Sequence, residues 1–316
     1  PHKKKFLGRK KGYHGITVAS GSMTGIPANH ELFDLPISGF FHTDTPHYYR
    51  EGLENETEAE FLNRISANLE KLIIKEGADN FSAMIAEPFI GAGGVIIPPE
   101  GYFPKIQSVL EKYDIHLIDD EVICGFGRTG NCWGYETFSI KPSSMTIAKA
   151  LSSGYMPISA VIVSEEIFEP IKHASGDVGV FAHGYTYSGH PVSCAVALKT
   201  LEIYERTKLF SHVSEVSIHF QNRVTKLASY DHVGEARGVG LVAGIELVKD
   251  KETKENFEPY GKIGMLLANA CQKNGLIVRA IGDVIAICPP LIITESQIDE
   301  LFDILEASIE EVFKKN

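Results

Sequence analysis

The chain has 316 residues, 44% of them hydrophobic and 22% charged, which is the balance of a water-soluble globular protein with room for two domains. A net charge of −11 argues against nucleic acid as the main partner, because neutralising phosphates needs a basic face; the one dense basic run, Lys3 to Lys5 and then Arg9 to Lys11, reads as a solvated chain end. Five scattered cysteines without a Cys-x-x-Cys pair argue against a disulfide framework or a structural zinc site and for a reducing, cytoplasmic setting, and neither a membrane-length apolar run nor a signal peptide is visible.

In chain order, Phe61, Leu62, Ile65, Leu69, Leu72 and Ile73 recur at helical spacing and predict a helix over 61–76, closed by Gly77. Residues 81–90 read as a buried strand ending at Glu87 and Pro88. A short helix follows, with Ile106, Val109, Leu110 and Tyr113 on one face. Residues 115–122 read as the next strand, 125–130 as a glycine-rich loop, and 145–148 and 158–163 as two more strands. Strands alternating with helices predict an α/β domain with a mostly parallel sheet. Pro191 suits the first turn of a helix running to about Arg206. The pattern then changes: an alternating strand is expected over 241–247, and Thr294 with Gln297 caps a last helix whose face is Ile298, Leu301, Phe302, Leu305, Ile309 and Val312. We expect a large domain over 1–204 and a smaller α+β domain over 205–316.

Several motifs invite a chemical reading. The loop 125–130 matches Gly-x-Gly-x-x-Gly, but a dinucleotide site is rejected: Asn131 to Gly134 is a poor helix start, and Asp119, Asp120 and Glu121 just upstream would repel a pyrophosphate. His42, Asp44 and His47 have a spacing open to a metal, but the Thr-Pro between them suits an ordered loop, and no metal is expected. Asp119, Asp120 and Glu121 end an apolar strand. Side chains alternate there, so Asp120 and Val122 share one face and Asp119 and Glu121 the other. A carboxylate can bind a cationic ring nitrogen, and the valine two residues on can pack against the ring. Taken alone, the run is better explained as a solvated strand end. Lys149 follows the apolar stretch 145–148; a lysine at a strand end can attack a carbonyl and form a Schiff base, although by itself it reads as an exposed turn lysine.

Together these residues say more. The run 118–160, with Asp120-Glu121-Val122, then Gly-Phe-Gly-Arg-Thr-Gly, then Ile147-Ala148-Lys149, closely resembles the class III (omega) aminotransferases of pyridoxal-phosphate fold type I. The resemblance extends over essentially the whole chain. It implies the fold type I sheet, mostly parallel and of a seven-stranded kind, with a smaller C-terminal α+β domain. It also implies pyridoxal 5′-phosphate as cofactor, with Lys149 as the Schiff-base lysine and Asp120 on the pyridine nitrogen. Tyr13, His14 and Gly15 resemble the family's Tyr-His-Gly, whose aromatic ring stacks on the cofactor. Glu87-Pro88 resembles its Glu-Pro segment beside the cofactor. The stretch 183–191 resembles the segment whose threonine, here Thr186, reaches the cofactor phosphate of the neighbouring subunit, which implies a homodimer. Tyr185 and Arg279 are the implied substrate contacts, Arg279 lying in a segment that carries a mobile arginine for carboxylates. Core packing for Tyr13, a structural role for Glu87 and a surface ion pair for Arg279 stay open as alternatives.

Two features depart from the family. Asp119 stands where a small or apolar residue is usual. The chain, which opens on Pro1 rather than Met, starts after the Gly-Ser-Glu-Ala-like turn that cups the phosphate, and without the segment that normally completes the small domain. The activity implied is transfer of an amino group from an omega-amine or omega-amino acid to a keto acid such as pyruvate. The rivals are an aminomutase or decarboxylase of the same family, and an inactive fragment or structural partner.

Overall fold

Thr57 opens the first long helix. Its hydroxyl accepts the Glu60 N–H while the Glu60 carboxylate accepts the Thr57 N–H at 2.9 Å, so the helix begins three residues before the apolar spacing does. The computed structural model describes residues 2–314. Parallel strands β1 (Lys5–Arg9), β2 (Phe40–Thr43), β3 (Phe81–Ala86), β4 (His116–Asp120) and β5 (Ser144–Ile147), with the antiparallel edge strand β6 (Ala160–Val163), form a six-stranded sheet in the order β2-β1-β3-β4-β5-β6. This is the mostly parallel sheet expected from the sequence, here with six strands among the described residues.

The helices of this part are α1 (Val18–Met23), α2 (Tyr48–Glu51), α3 (Glu58–Glu76), α4 (Tyr102–Lys112), α5 (Gly134–Phe138), α6 (Glu165–Val178) and α7 (Pro191–Arg206). α3 and α4 bury Phe61, Leu69, Phe103 and Ile106 against Leu7, Met84 and Leu117 of the sheet. Such fully buried side chains contribute about 1.5–3 kcal/mol each.

Strands end earlier than the apolar runs suggest. The run expected as a strand over 81–90 leaves the sheet after Ala86, because Pro88 has no N–H to donate, and Ile90 pairs instead with Ile96. β4 stops at Asp120, two residues short of the expected 122. At the far edge, all four residues of β6 are exposed and α6 buries none of its own.

From residue 205 on, α8 (Leu209–Leu227), α9 (Lys262–Lys273) and α10 (Glu295–Lys314) pack with an antiparallel sheet of β7 (Val233–Val239), β8 (Val242–Leu247), β9 (Arg279–Ile281) and β10 (Val284–Ile287), in the order β7-β8-β10-β9. Val213, Phe220, Leu267, Phe302 and Leu305 are the centre of that core. β8 is buried at every residue rather than at alternate ones. It lies in the middle of its sheet, and its second face is covered: a side chain at Gly244 would meet the Gly94 carbonyl and Val95. Arginines join the two sheets. Arg128 donates to the Leu241 and Pro289 carbonyls, each at 2.7 Å, and Arg237 donates to the Gly94 and Val95 carbonyls. Gly240 lets this junction close; a Cβ there would lie 2.3 Å from the Arg128 carbonyl oxygen.

Candidate active site

Parallel strands deliver their C-terminal ends to one edge of the sheet, the usual place for a site in open α/β folds. Asp120 ends β4 opposite Thr146 of β5, and Lys149 follows three residues beyond Thr146. One Asp120 oxygen accepts the Val122 N–H at 3.2 Å. The other accepts His14 Nδ1–H at 2.7 Å, a tautomer fixed because a carboxylate can only accept. The His14 side chain is fully buried, held by its own N–H to Thr24 Oγ1, and its Nε2 has no partner among the described residues.

Glu87 closes the group. Its two oxygens accept Tyr13 N–H at 3.0 Å and Gly91 N–H at 2.8 Å. Burial pushes its carboxyl above the usual carboxylate range, against the pull of His14 and Arg9. Arg9, itself buried, donates to the Glu87 carbonyl. Tyr13, His14, Glu87 and Asp120 therefore form one connected set, although 107 positions separate Tyr13 from Asp120 in the sequence.

Lys149 opens a single 3₁₀ turn (Lys149–Ser152) with φ of +47°, the left-handed region that a side chain enters at a cost of about 1–3 kcal/mol. Tyr204 Oη holds that turn by donating to the Ala150 carbonyl at 2.8 Å. Lys149 and Val122 both line a cavity of about 590 Å³, whose other walls include Arg128, Tyr204, Cys288 and Leu291. Arg128, Tyr204 and Cys288 were not legible as site residues; the first two are placed there by the fold of distant segments, and the third by the loop after β10.

Other expected residues lie elsewhere. Tyr185 and Thr186 are exposed in the turn 185–188, where Tyr185 N–H donates to Ser188 Oγ, and neither lines the cavity. Arg279 is exposed at the start of edge strand β9 and is likewise absent from the cavity wall. His42, Asp44 and His47 do not converge: they pair with the Met23 carbonyl, with Lys10 and Asn68, and with Glu235. The loop 125–130 opens no helix; it is a turn that clamps the two sheets through Arg128.

A sequence model of the family described as aminotransferase class-III matches residues 1–309. The chain belongs to the class III aminotransferases. Gamma aminobutyrate transaminase 1, mitochondrial, of Solanum lycopersicum is 48% identical over 315 residues, an alignment that takes in 100% of this chain and 61% of that protein. Probable gamma-aminobutyrate transaminase 3, mitochondrial, of Oryza sativa subsp. japonica is 49% identical over 316 residues, 99% of this chain and 62% of its own length. The chain thus spans about three-fifths of these relatives. Among solved structures, a transaminase with L-alanine superposes with a TM-score of 0.98 at 48% identity, over 100% of this chain and 74% of that one. The omega transaminase from Pseudomonas jessenii in complex with PMP gives 0.98 at 44% identity, over 99% and 69%. Enzymes of this class use pyridoxal phosphate.

Proposed function

We propose that this class III aminotransferase chain carries the lysine and ring-binding half of a site that moves an amino group from an omega-amine or omega-amino acid to a keto acid such as pyruvate. The observation that carries the reading is the placement of Lys149, in a strained turn on a cavity wall, beside the strand end that holds the Asp120–His14 pair. The residues fit the ring and aldehyde end of pyridoxal phosphate. Asp120 uses two of its roughly four acceptor positions on Val122 and His14, which leaves room for a ring N–H. When bound, the cofactor supplies an electron sink for charge developing on the substrate carbon.

The protein's own groups do the rest. The Lys149 amine would hold the aldehyde end of the cofactor, and would serve as the group that carries a proton to and from the reacting carbon. Asp120 would keep the ring nitrogen protonated, and the His14 hydrogen bond holds the Asp120 carboxylate in place. Val122, on the cavity wall, would pack against the ring, and Tyr13 is assigned to stack on it. Glu87 holds the Tyr13 backbone. Tyr185, Thr186 and Arg279, all exposed here, are assigned to substrate and phosphate contacts completed across a homodimer; the bare apolar side chains Tyr155, Val161, Phe168, Val180 and Phe181 support burial of that region in an assembly. The boundary between the domains is placed at 204/205, near the end of α7. Unpaired cysteines support a reducing compartment, for which the cytoplasm is our assignment, and fractionation against the organelles named for the plant relatives tests it. Among the described residues, no helix is long and apolar enough to cross a membrane.

Lys149→Ala is the test. The variant should lose the covalently attached chromophore near ~420 nm and all turnover of an omega-amine with pyruvate. Full turnover by the alanine variant would refute the assignment. Product analysis separates transamination, which consumes a keto acid, from mutase or decarboxylase chemistry.

A further inference from the structure

Asp119 has no place in the site just described, and its surroundings are unusual. Its side chain is completely buried on the sheet face opposite Asp120. No donor among the described residues reaches either of its oxygens. Arg9, whose charge opposes the effect of burial there, forms no ion pair with it among the described residues. A buried carboxylate with neither a donor nor a counter-ion is strongly disfavoured.

Its neighbour on that face is Glu121, also buried. Both Glu121 oxygens are engaged, accepting Gly134 N–H at 2.9 Å and Tyr135 N–H at 2.8 Å, so Glu121 holds the first turn of α5 through both of its oxygens. Gly134 must sit close for this; a Cβ there would lie 2.6 Å from Pro88 Cγ and 2.9 Å from Cys124 Cβ. Two buried carboxyl groups on the same face of one strand end can be reconciled only if one of them carries a proton, and Glu121, already facing two N–H donors, is the worse place for it.

We propose that Asp119 is a positioning residue: as a neutral carboxylic acid it donates its proton to the Glu121 carboxylate, and this pair ties the end of β4, which presents Asp120, to the first turn of α5. The proton comes from solvent during folding and stays on Asp119. The arrangement stands independently of the role proposed for Asp120. It also explains the charge count. With Asp119 neutral, the strand end does not carry three adjacent negative charges.

Titration behaviour agrees with the geometry. Loss of hydration on burial, followed by the Glu121 charge, pushes Asp119 up to about 10, and burial also raises Glu121. The charged and titratable groups around Asp119 are Glu121, Arg9 from β1, Cys124, Tyr135 and, on the other face of its own strand, Asp120. Because the folded state holds this proton more tightly than the unfolded chain, the group's contribution is fully present below the ordinary aspartate range. It is lost as pH rises from there to the folded value.

The experiment compares wild type, Asp119→Asn and Asp119→Leu, without added cofactor or substrate. Asparagine keeps an N–H donor toward Glu121; leucine does not. At pH 7, infrared difference spectra of wild type against D119N should show a neutral-carboxyl carbonyl band, shifted in heavy water, that belongs to Asp119. The wild-type folding equilibrium constant should fall relative to D119N by up to about tenfold per pH unit between pH 4 and 10. Amide exchange at Gly134 and Tyr135 should be as slow in D119N as in wild type and at least tenfold faster in D119L. Absence of the band, or a wild-type to D119N ratio flat with pH, would show an ionised Asp119 and overturn the proposal. Should D119L not fold, the D119N comparison decides alone.

Discussion

His14→Phe isolates the hydrogen bond that orients Asp120. In the native protein, Nδ1–H meets Asp120 Oδ2 at 2.7 Å, with the histidine side chain 0% and the aspartate side chain 7% exposed, so water does not replace the bond when it is removed. Phenylalanine keeps a flat aromatic ring, somewhat larger than imidazole, and deletes the donor. A hydrogen bond to a charged group in such a setting is worth roughly 1.5–3 kcal/mol. At 1.36 kcal/mol per decade this corresponds to about 10- to 150-fold. The weakening should appear in pyridoxal phosphate affinity, followed by absorbance titration of the full-length holoenzyme. His14→Asn places an amide N–H near the Nδ1 position and should recover most of the loss. Asp120→Asn keeps an acceptor for His14 but removes the charge, so it should bind cofactor yet lose turnover by orders of magnitude. If H14F binds cofactor as tightly as wild type, the His14–Asp120 contact does not orient the carboxylate and the reasoning fails.

Two further predictions concern the frame. Arg237 lies between Glu235, Glu246 and the Gly94 and Val95 carbonyls, and is 8% exposed. Arg237→Ala leaves two carboxylates beside His47 with only Arg50 to balance them, and should destabilise the fold by about 3–5 kcal/mol in urea titrations; a loss under ~1 kcal/mol would mean the cluster is hydrated. Phe302, fully buried with its ring 5.3 Å from that of Phe220, should cost roughly 3–5 kcal/mol when replaced by alanine, and a midpoint unchanged in the same titration would contradict the packing.

Much of the frame was legible from residue patterns. Apolar spacing located α3, α4 and α10, because burial of one helix face imposes a period that a single chain displays, and apolar runs located the strands β3, β4, β5, β6 and β8. Their ends were less legible. Pro88 stops β3 by lacking an N–H, and Thr57 with Glu60 starts α3 early; both signals were present but were outweighed by the apolar runs. The strand expected to alternate over 241–247 is buried throughout, since the residues covering its second face, Gly94 and Val95, come from about 150 positions away.

The sequence by itself determined the chemistry on offer: Lys149 after one strand, Asp120 and Val122 at the end of the next, and Tyr13 with His14 upstream, in an order that marks a class III aminotransferase. Tertiary structure decided which of these meet. It joined His14, Glu87 and Asp120 through hydrogen bonds, put Lys149 in a left-handed turn held by Tyr204, and left Tyr185, Thr186 and Arg279 on the surface. It also gave Asp119 a setting that the strand alternation alone could not supply. Alternation says which way a side chain points, but only the packed neighbours determine whether a carboxyl group there meets water, a cation or another carboxyl group.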